Sequence, residues 1–208
     1  MKKFQVAGSD FSSSIAIDSS NRGDTTVTVA VEMPDRLTEI KMLEIVCESA
    51  RQNQVSDFRL FNRKARDIGI DGNEDFFRDV ISATRGYIVG YQHLSHGNES
   101  AHEIESVHSA LLLDTILEPY EDNMVIIDGG SQKANPVVHA LSGLRDAIPS
   151  VTYCLQSEHY YPQCLLADLV AFYLSYRVET GSYDYTNPFL QTPYAEHTED
   201  RWGPHSRR

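Results

Sequence analysis

No apolar run in this chain approaches the ~20 residues that a bilayer-crossing helix needs, so the sequence carries no membrane span. The opening residues, Met1-Lys2-Lys3-Phe4-Gln5-Val6, hold two lysines but no long apolar stretch after them, so no secretory signal is expected. Cysteine is scarce. The three present, Cys47, Cys154 and Cys164, are an odd number without metal-ligand spacing. They are expected to be reduced, buried thiols of a cytoplasmic protein. Positive charge is scarce too: 18 Lys and Arg face 30 Asp and Glu, for a net charge of −12. That excludes a basic field over the whole molecule, so a polyanion partner would need a local basic patch or bound cations. Only five of the bases are lysine. An acidic, lysine-poor surface suits a salt-rich cytoplasm, and equally an ordinary acidic microbial protein. What the chain does have is 41% hydrophobic and 23% charged residues in 208, enough for one packed domain.

Local pattern gives the order of elements. Ser13 to Asp18 is a short apolar run ending in an acid, and Asn21-Arg22-Gly23-Asp24 supplies turn residues. Thr25 to Met33 alternates and is β-branched, so the two read as a hairpin. Asp35 to Gln52 has helical spacing, Asn62 to Asn73 is charged and irregular, and Glu74 to Thr84 is a short helix. Gly86 to Leu94 is a strand, and Asn98 to Pro119 an amphipathic helix stopped by proline. Asn123 to Asp128 is an apolar strand, Asn135 to Ile148 a helix, Val151 to Ser157 a strand, and Tyr161 to Val178 a helix. The predicted domain covers residues 1–180 with a helical insertion over about 34–85, and residues 181–208 read as an irregular tail. Antiparallel strands followed by alternating units predict an α/β fold, a mixed five-stranded sheet flanked by helices.

Three aspartates stand out by position. Asp18 closes an apolar strand and Asp128 closes another, Met124-Val125-Ile126-Ile127, and ligands gather beyond such strand ends. Asp168 is the lone acid of a helix that is apolar nearly all round. It shares a face with Cys164, Ala171 and Ser175, small residues that permit a close approach to the sheet. Three acids from separate elements meeting at one point require cations, and hard Mg²⁺ or Mn²⁺ ions suit oxygen ligands. Taken singly, Asp18 and Asp128 suit turns equally well. On the helix after the third strand, Glu105 is the better candidate for a fourth acid and Glu103 the second, with a solvated helix edge as the plainer reading of both.

The segment Asp18-Ser19-Ser20-Asn21-Arg22-Gly23 resembles the D-E-x-G-R-G motif of type 2 ribonucleases H. Ile126-Ile127-Asp128-Gly129 resembles that family's second-acid strand, and the helical insertion fits its arrangement. The resemblance covers roughly residues 12 to 178, and extends to archaeal branches of the ribonuclease H-like superfamily. It implies a nuclease that hydrolyses phosphodiester bonds of RNA or an RNA/DNA hybrid by two-metal-ion catalysis. Asp18, Asp128 and Asp168 would hold the metals, with Glu105 completing the catalytic set. Asn21, Arg22 and Gly23 would meet the substrate near a ribose 2′-hydroxyl. The pattern is broken at Ser19, where the family has an acid, and at Asn21, where it has glycine.

Other readings compete. A ribonuclease H-like module that binds nucleic acid or protein without catalysis fits the loss of an acid. A small-substrate phosphoesterase fits the acidic surface. His93, His96, His102 and His108 lack the spacing of a zinc motif. His159 or one of these could assist proton transfer. Gly129-Gly130-Ser131-Gln132-Lys133 lacks the spacing of a phosphate-binding P-loop. Arg63, Lys64 and Arg66 form a basic cluster whose default place is a solvated surface.

Overall fold

The computed structural model describes residues 13–95, 101–117, 122–181 and 195–197. The elements run β1 (Ser13–Arg22), β2 (Thr25–Met33), α1 (Arg36–Gln52), α2 (Asp57–Asn62), α3 (Ala65–Ile68), α4 (Glu74–Thr84) and β3 (Ile88–Ser95). They continue with α5 (Ala101–Ile116), β4 (Asn123–Asp128), α6 (Ser131–Ser142), β5 (Ser150–Cys154), α7 (Pro162–Glu179) and β6 (Ala195–His197). The sheet order is β5-β4-β1-β2-β3-β6. The β1/β2 and β2/β3 pairs are antiparallel, and the β1/β4 and β4/β5 pairs are parallel. The five expected strands are therefore present in a mixed sheet. A sixth, three residues long, pairs parallel with β3 from within the segment read as an irregular tail.

Side-chain alternation divides the sheet between two cores. Ala16, Val27, Val29, Val31 and Ile126 point to the face covered by α7 and the insertion helices. Ile15, Ile17, Val125 and Ile127 point to the face covered by α5 and α6. Helix α7 is apolar all round because it is covered on both sides. It lies on the sheet, while Phe77 of α4 stacks on Tyr173 with centroids 5.8 Å apart and packs on Phe172 at 5.6 Å. Ser175 comes close enough to β1 for its hydroxyl to lie 2.9 Å from that of Ser20, the near approach that its small size permits.

Some expected boundaries differ. Strand β1 does not stop at Asp18 but runs to Arg22, which pairs with Thr25 across a two-residue Gly23-Asp24 turn. Gly23 has φ +56°, the conformation such a hairpin asks of its first central residue. Helix α6 begins at Ser131, four residues before the expected Asn135, and carries Pro136 inside it, with Ala134, Val137 and Leu141 buried. It ends at Gly143 rather than at Ile148. Strand β5 ends at Cys154 because Gln156 is left-handed (φ 56°) and starts the 3₁₀ turn Ser157–His159. The irregular stretch 62–73 contains the short helix α3. Among the described residues no helix is long and apolar enough to cross a membrane. The cysteines are free, but only Cys164 is fully buried; Cys47 and Cys154 are half-buried.

Candidate active site

Strand register brings the first two acids side by side. The parallel β1/β4 ladder ends at Ile17 opposite Ile127, so Asp18 and Asp128 are the next residue on each of two neighbouring strands. Asp18 alternates with Ala16 and Asp128 with Ile126, which places both on the α7 face. Asp168 reaches the same place from α7. The three line a cleft of about 680 Å³ together with Asn21, Arg22 and Lys64.

Hydrogen bonds fix each carboxylate. Asp18 Oδ1 accepts the backbone N–H of Ser19 at 2.9 Å. Asp128 Oδ1 accepts the N–H and the hydroxyl of Ser157 at 2.8 and 3.0 Å. Its Oδ2 accepts the Lys64 ammonium at 2.7 Å. Asp168 Oδ2 accepts the N–H of Ala65 at 2.7 Å. The insertion therefore inserts two consecutive residues into the site, one ammonium and one amide. Sequence reasoning missed this by treating the basic cluster around Lys64 as solvated surface.

A fourth acid was also missed. Glu158, in the 3₁₀ turn after β5, is 1% exposed. Lys64 Nζ lies 3.2 Å from its Oε2 and His159 Nε2 lies 3.6 Å from its Oε1, yet neither carboxylate oxygen makes a hydrogen bond. Its signal in the sequence was available: like Asp128, it follows the carboxyl end of a parallel strand.

The electrostatics follow from crowding. Burial, then the charges of Asp168 and Asp128, push the Asp18 carboxyl well above the ordinary range, against the pull of Lys64 and Lys133. Burial also raises Asp168 to about 6, opposed by the Ala65 N–H and Lys64 and helped by Glu158 and Asp128. Asp128 goes the other way. Burial raises it, but the Lys64 hydrogen bond and charge and the Ser157 donors outweigh that and hold it low. Burial would lower Lys64, but Asp128, Asp18 and Asp168 hold its ammonium charged.

These donors fit a hard divalent cation. They are carboxylate oxygens, the ligands that Mg²⁺ and Mn²⁺ prefer. Burial, and behind it the charge of neighbouring carboxylates, pushes Asp18 and Asp168 upward, a cost that a bound cation would offset. Among the described residues no three His, Cys, Asp or Glu side chains are drawn tightly enough to ligate one ion together. The contacts to Lys64, Ser157 and Ala65 account for where Asp128 and Asp168 are held instead.

The remaining expected residues fall around this centre. Glu105 sits on α5, over the other face, and pairs with Lys133 at 3.1 Å. Lys133 in turn acts on Asp18 and Asp128, so Glu105 is linked to the acids through an ammonium. The side chain of Glu103 lies outside the described residues, as do those of His93, His96 and His102. His108 is a core residue, with Nδ1 3.1 Å from the Thr28 hydroxyl. Arg22 lies over the Phe172 ring at 4.7 Å and pairs with Glu179 at 3.2 Å. Asn21 accepts from the Thr26 hydroxyl. Ser19 faces away from the acids, with its hydroxyl 2.8 Å from that of Thr28.

No protein-family model and no curated protein matches the sequence. Solved structures do match. The ribonuclease H2 from Pyrococcus horikoshii OT3 is 13% identical with a TM-score of 0.52, over 88% of this chain and 80% of that one. Bst-RNase HIII in complex with Mn²⁺ is 15% identical with a TM-score of 0.51, over 79% of this chain and 52% of its own. The fold is ribonuclease H-like. At such identities the likeness is one of fold, and this chain spans about half the length of Bst-RNase HIII. Within this sheet, Asp18 and Asp128 sit on two neighbouring parallel strands, β1 and β4.

Proposed function

We propose that this chain is a divalent-metal-dependent nuclease that hydrolyses phosphodiester bonds of RNA or of an RNA-containing duplex. The observation that carries the reading is the meeting of Asp18, Asp128 and Asp168, from two strands and a helix, in one cleft on the α7 face. Asp18, Asp128 and Asp168 would hold Mg²⁺ or Mn²⁺, with Glu158 as a further oxygen donor. Such a cation supplies Lewis-acid stabilisation of charge developing on phosphoryl oxygens. The chain's own part is placement. Ser157 and Lys64 fix both oxygens of Asp128, and Ala65 fixes Asp168. His159, whose Nε2 lies 3.6 Å from Glu158 Oε1, would be an imidazole for proton transfer. Arg22 and Asn21 line the same cleft where a substrate strand would pass. The Asp18–Gly23 segment supports a type 2 kinship.

A second reading rests on Ser19, which stands where the type 2 motif has an acid, and on the lysine in the acid cluster. By it the chain is a ribonuclease H-like module that binds nucleic acid or protein without cleaving. One assay separates the two. Labelled RNA, RNA/DNA hybrid and DNA duplex are incubated with and without Mn²⁺ or Mg²⁺. Metal-dependent cleavage that Asp128→Asn abolishes supports the nuclease. Binding without cleavage under every metal condition overturns it.

A further inference from the structure

We infer that Lys64 supplies one of the two positive centres of the site, so that the acids take up one divalent ion rather than the pair that the resemblance implies. The inference rests on the proposal that this site binds a divalent cation. Lys64 Nζ lies 2.7 Å from Asp128 Oδ2 and 3.2 Å from Glu158 Oε2, and its charge also acts on Asp18 and Asp168. One ammonium thus contacts two of the four carboxylates and acts through space on the other two. Its backbone is not free to withdraw, because the next residue donates its N–H to Asp168 at 2.7 Å. Asp128 is only 12% exposed, so the lysine contact is shielded from competing water.

Two further observations point the same way. The second motif acid is replaced by Ser19, whose hydroxyl is engaged with Thr28, so that position offers no carboxylate to a second ion. The other lysine near the acids, Lys133, has its charge offset by its pairing with Glu105, whereas Lys64 makes the direct hydrogen bond to Asp128. Two divalent ions and an ammonium would overcompensate four carboxylates. One divalent ion and an ammonium leave a single negative charge, and the approaching phosphate then meets Lys64 from the side of the insertion. Lys64 is in this sense a positioning residue that sets how many ions the site accepts.

The test is Mn²⁺ binding to the full chain, read by calorimetric stoichiometry and by electron paramagnetic resonance. Two ions in one site lie about 3.5–4 Å apart and give an exchange-coupled spectrum, whereas a lone ion gives an isolated six-line signal. Wild type is expected to bind one uncoupled ion. Lys64→Arg, which keeps the charge, is expected to do the same. Lys64→Met is expected to bind two coupled ions, a change that a purely structural lysine would not produce. Wild type alone decides the case should Lys64→Met fail to fold: two coupled ions in wild type overturn the inference and leave the nuclease proposal standing. One ion in both wild type and folded Lys64→Met also overturns it. No Mn²⁺ uptake by any form, with no metal-dependent cleavage, overturns the metal-site proposal itself.

Discussion

Replacing Asp168 by asparagine should stabilise the metal-free protein at alkaline pH, the reverse of the usual cost of altering a half-buried polar residue. The carboxyl is displaced upward from 3.8 to about 6 by burial and by the charges of Glu158 and Asp128. A raised carboxyl means that the folded state holds a proton the unfolded chain has released. Its contribution is intact below about pH 4 and is lost as pH rises through 6. At about 1.4 kcal/mol per pKa unit, ionised Asp168 weakens folding by roughly 3 kcal/mol at pH 8. Asparagine removes the charge while its amide oxygen keeps the bond from the Ala65 N–H. Urea denaturation in EDTA at pH 8 should therefore show Asp168→Asn more stable than wild type by roughly 2–3 kcal/mol. For a domain of this size that corresponds to a rise in melting temperature of roughly 4–12 °C. At pH 4 the difference should nearly vanish, because both side chains are then neutral in the folded state. Excess Mn²⁺ at pH 8 should favour wild type. A variant that is less stable at both pH values would refute the reasoning, since it would mean that the aspartate's contacts outweigh the repulsion around it.

Asp128→Asn should behave oppositely, losing about 2 kcal/mol at pH 7, because its carboxylate is held low by Lys64 and Ser157. That loss should fade as pH falls below the ordinary carboxyl range, which acid-dependent denaturation curves would check. Apparent Mn²⁺ affinity should rise as pH increases through about 6, as the proton leaves Asp168; a titration series from pH 5 to 8 that stays flat would argue against it as a ligand. Gly129→Ala should cost about 1–3 kcal/mol, since φ is +128° and a Cβ would lie 2.7 Å from Lys133 Cδ; calorimetric melting would show the drop.

Much of this molecule was legible one-dimensionally. The alternation of Thr25 to Met33, the apolar run before Asp128 and the apolar helix at 162–179, opened by Pro162, each carry their own local signal, and the five expected strands are all in the sheet. Asp168 was conspicuous for a local reason as well: a single carboxylate in a helix with no polar face has to be compensated by something. The three-residue β6 gave no such signal, because so short a segment has no period to read. Nor did β1 announce that it continues beyond Asp18, since its length is set by pairing with β2 across Gly23-Asp24 and not by hydrophobicity.

The acids themselves were written in the sequence, and so was the expectation that they need positive charge. Which charge they meet was decided only in three dimensions. Lys64 is separated from Asp128 by 64 residues and from Asp18 by 46, and reads locally as one more base in an exposed cluster. The insertion between β2 and β3 carries it back over the strand ends, where Ala65 is held to Asp168. Glu158 enters by the same route, since the left-handed Gln156 turns the chain beneath Asp128. Periodicity reports which face of its own element a residue occupies. It cannot report which other element arrives opposite, and electrostatic energy depends on that arrival.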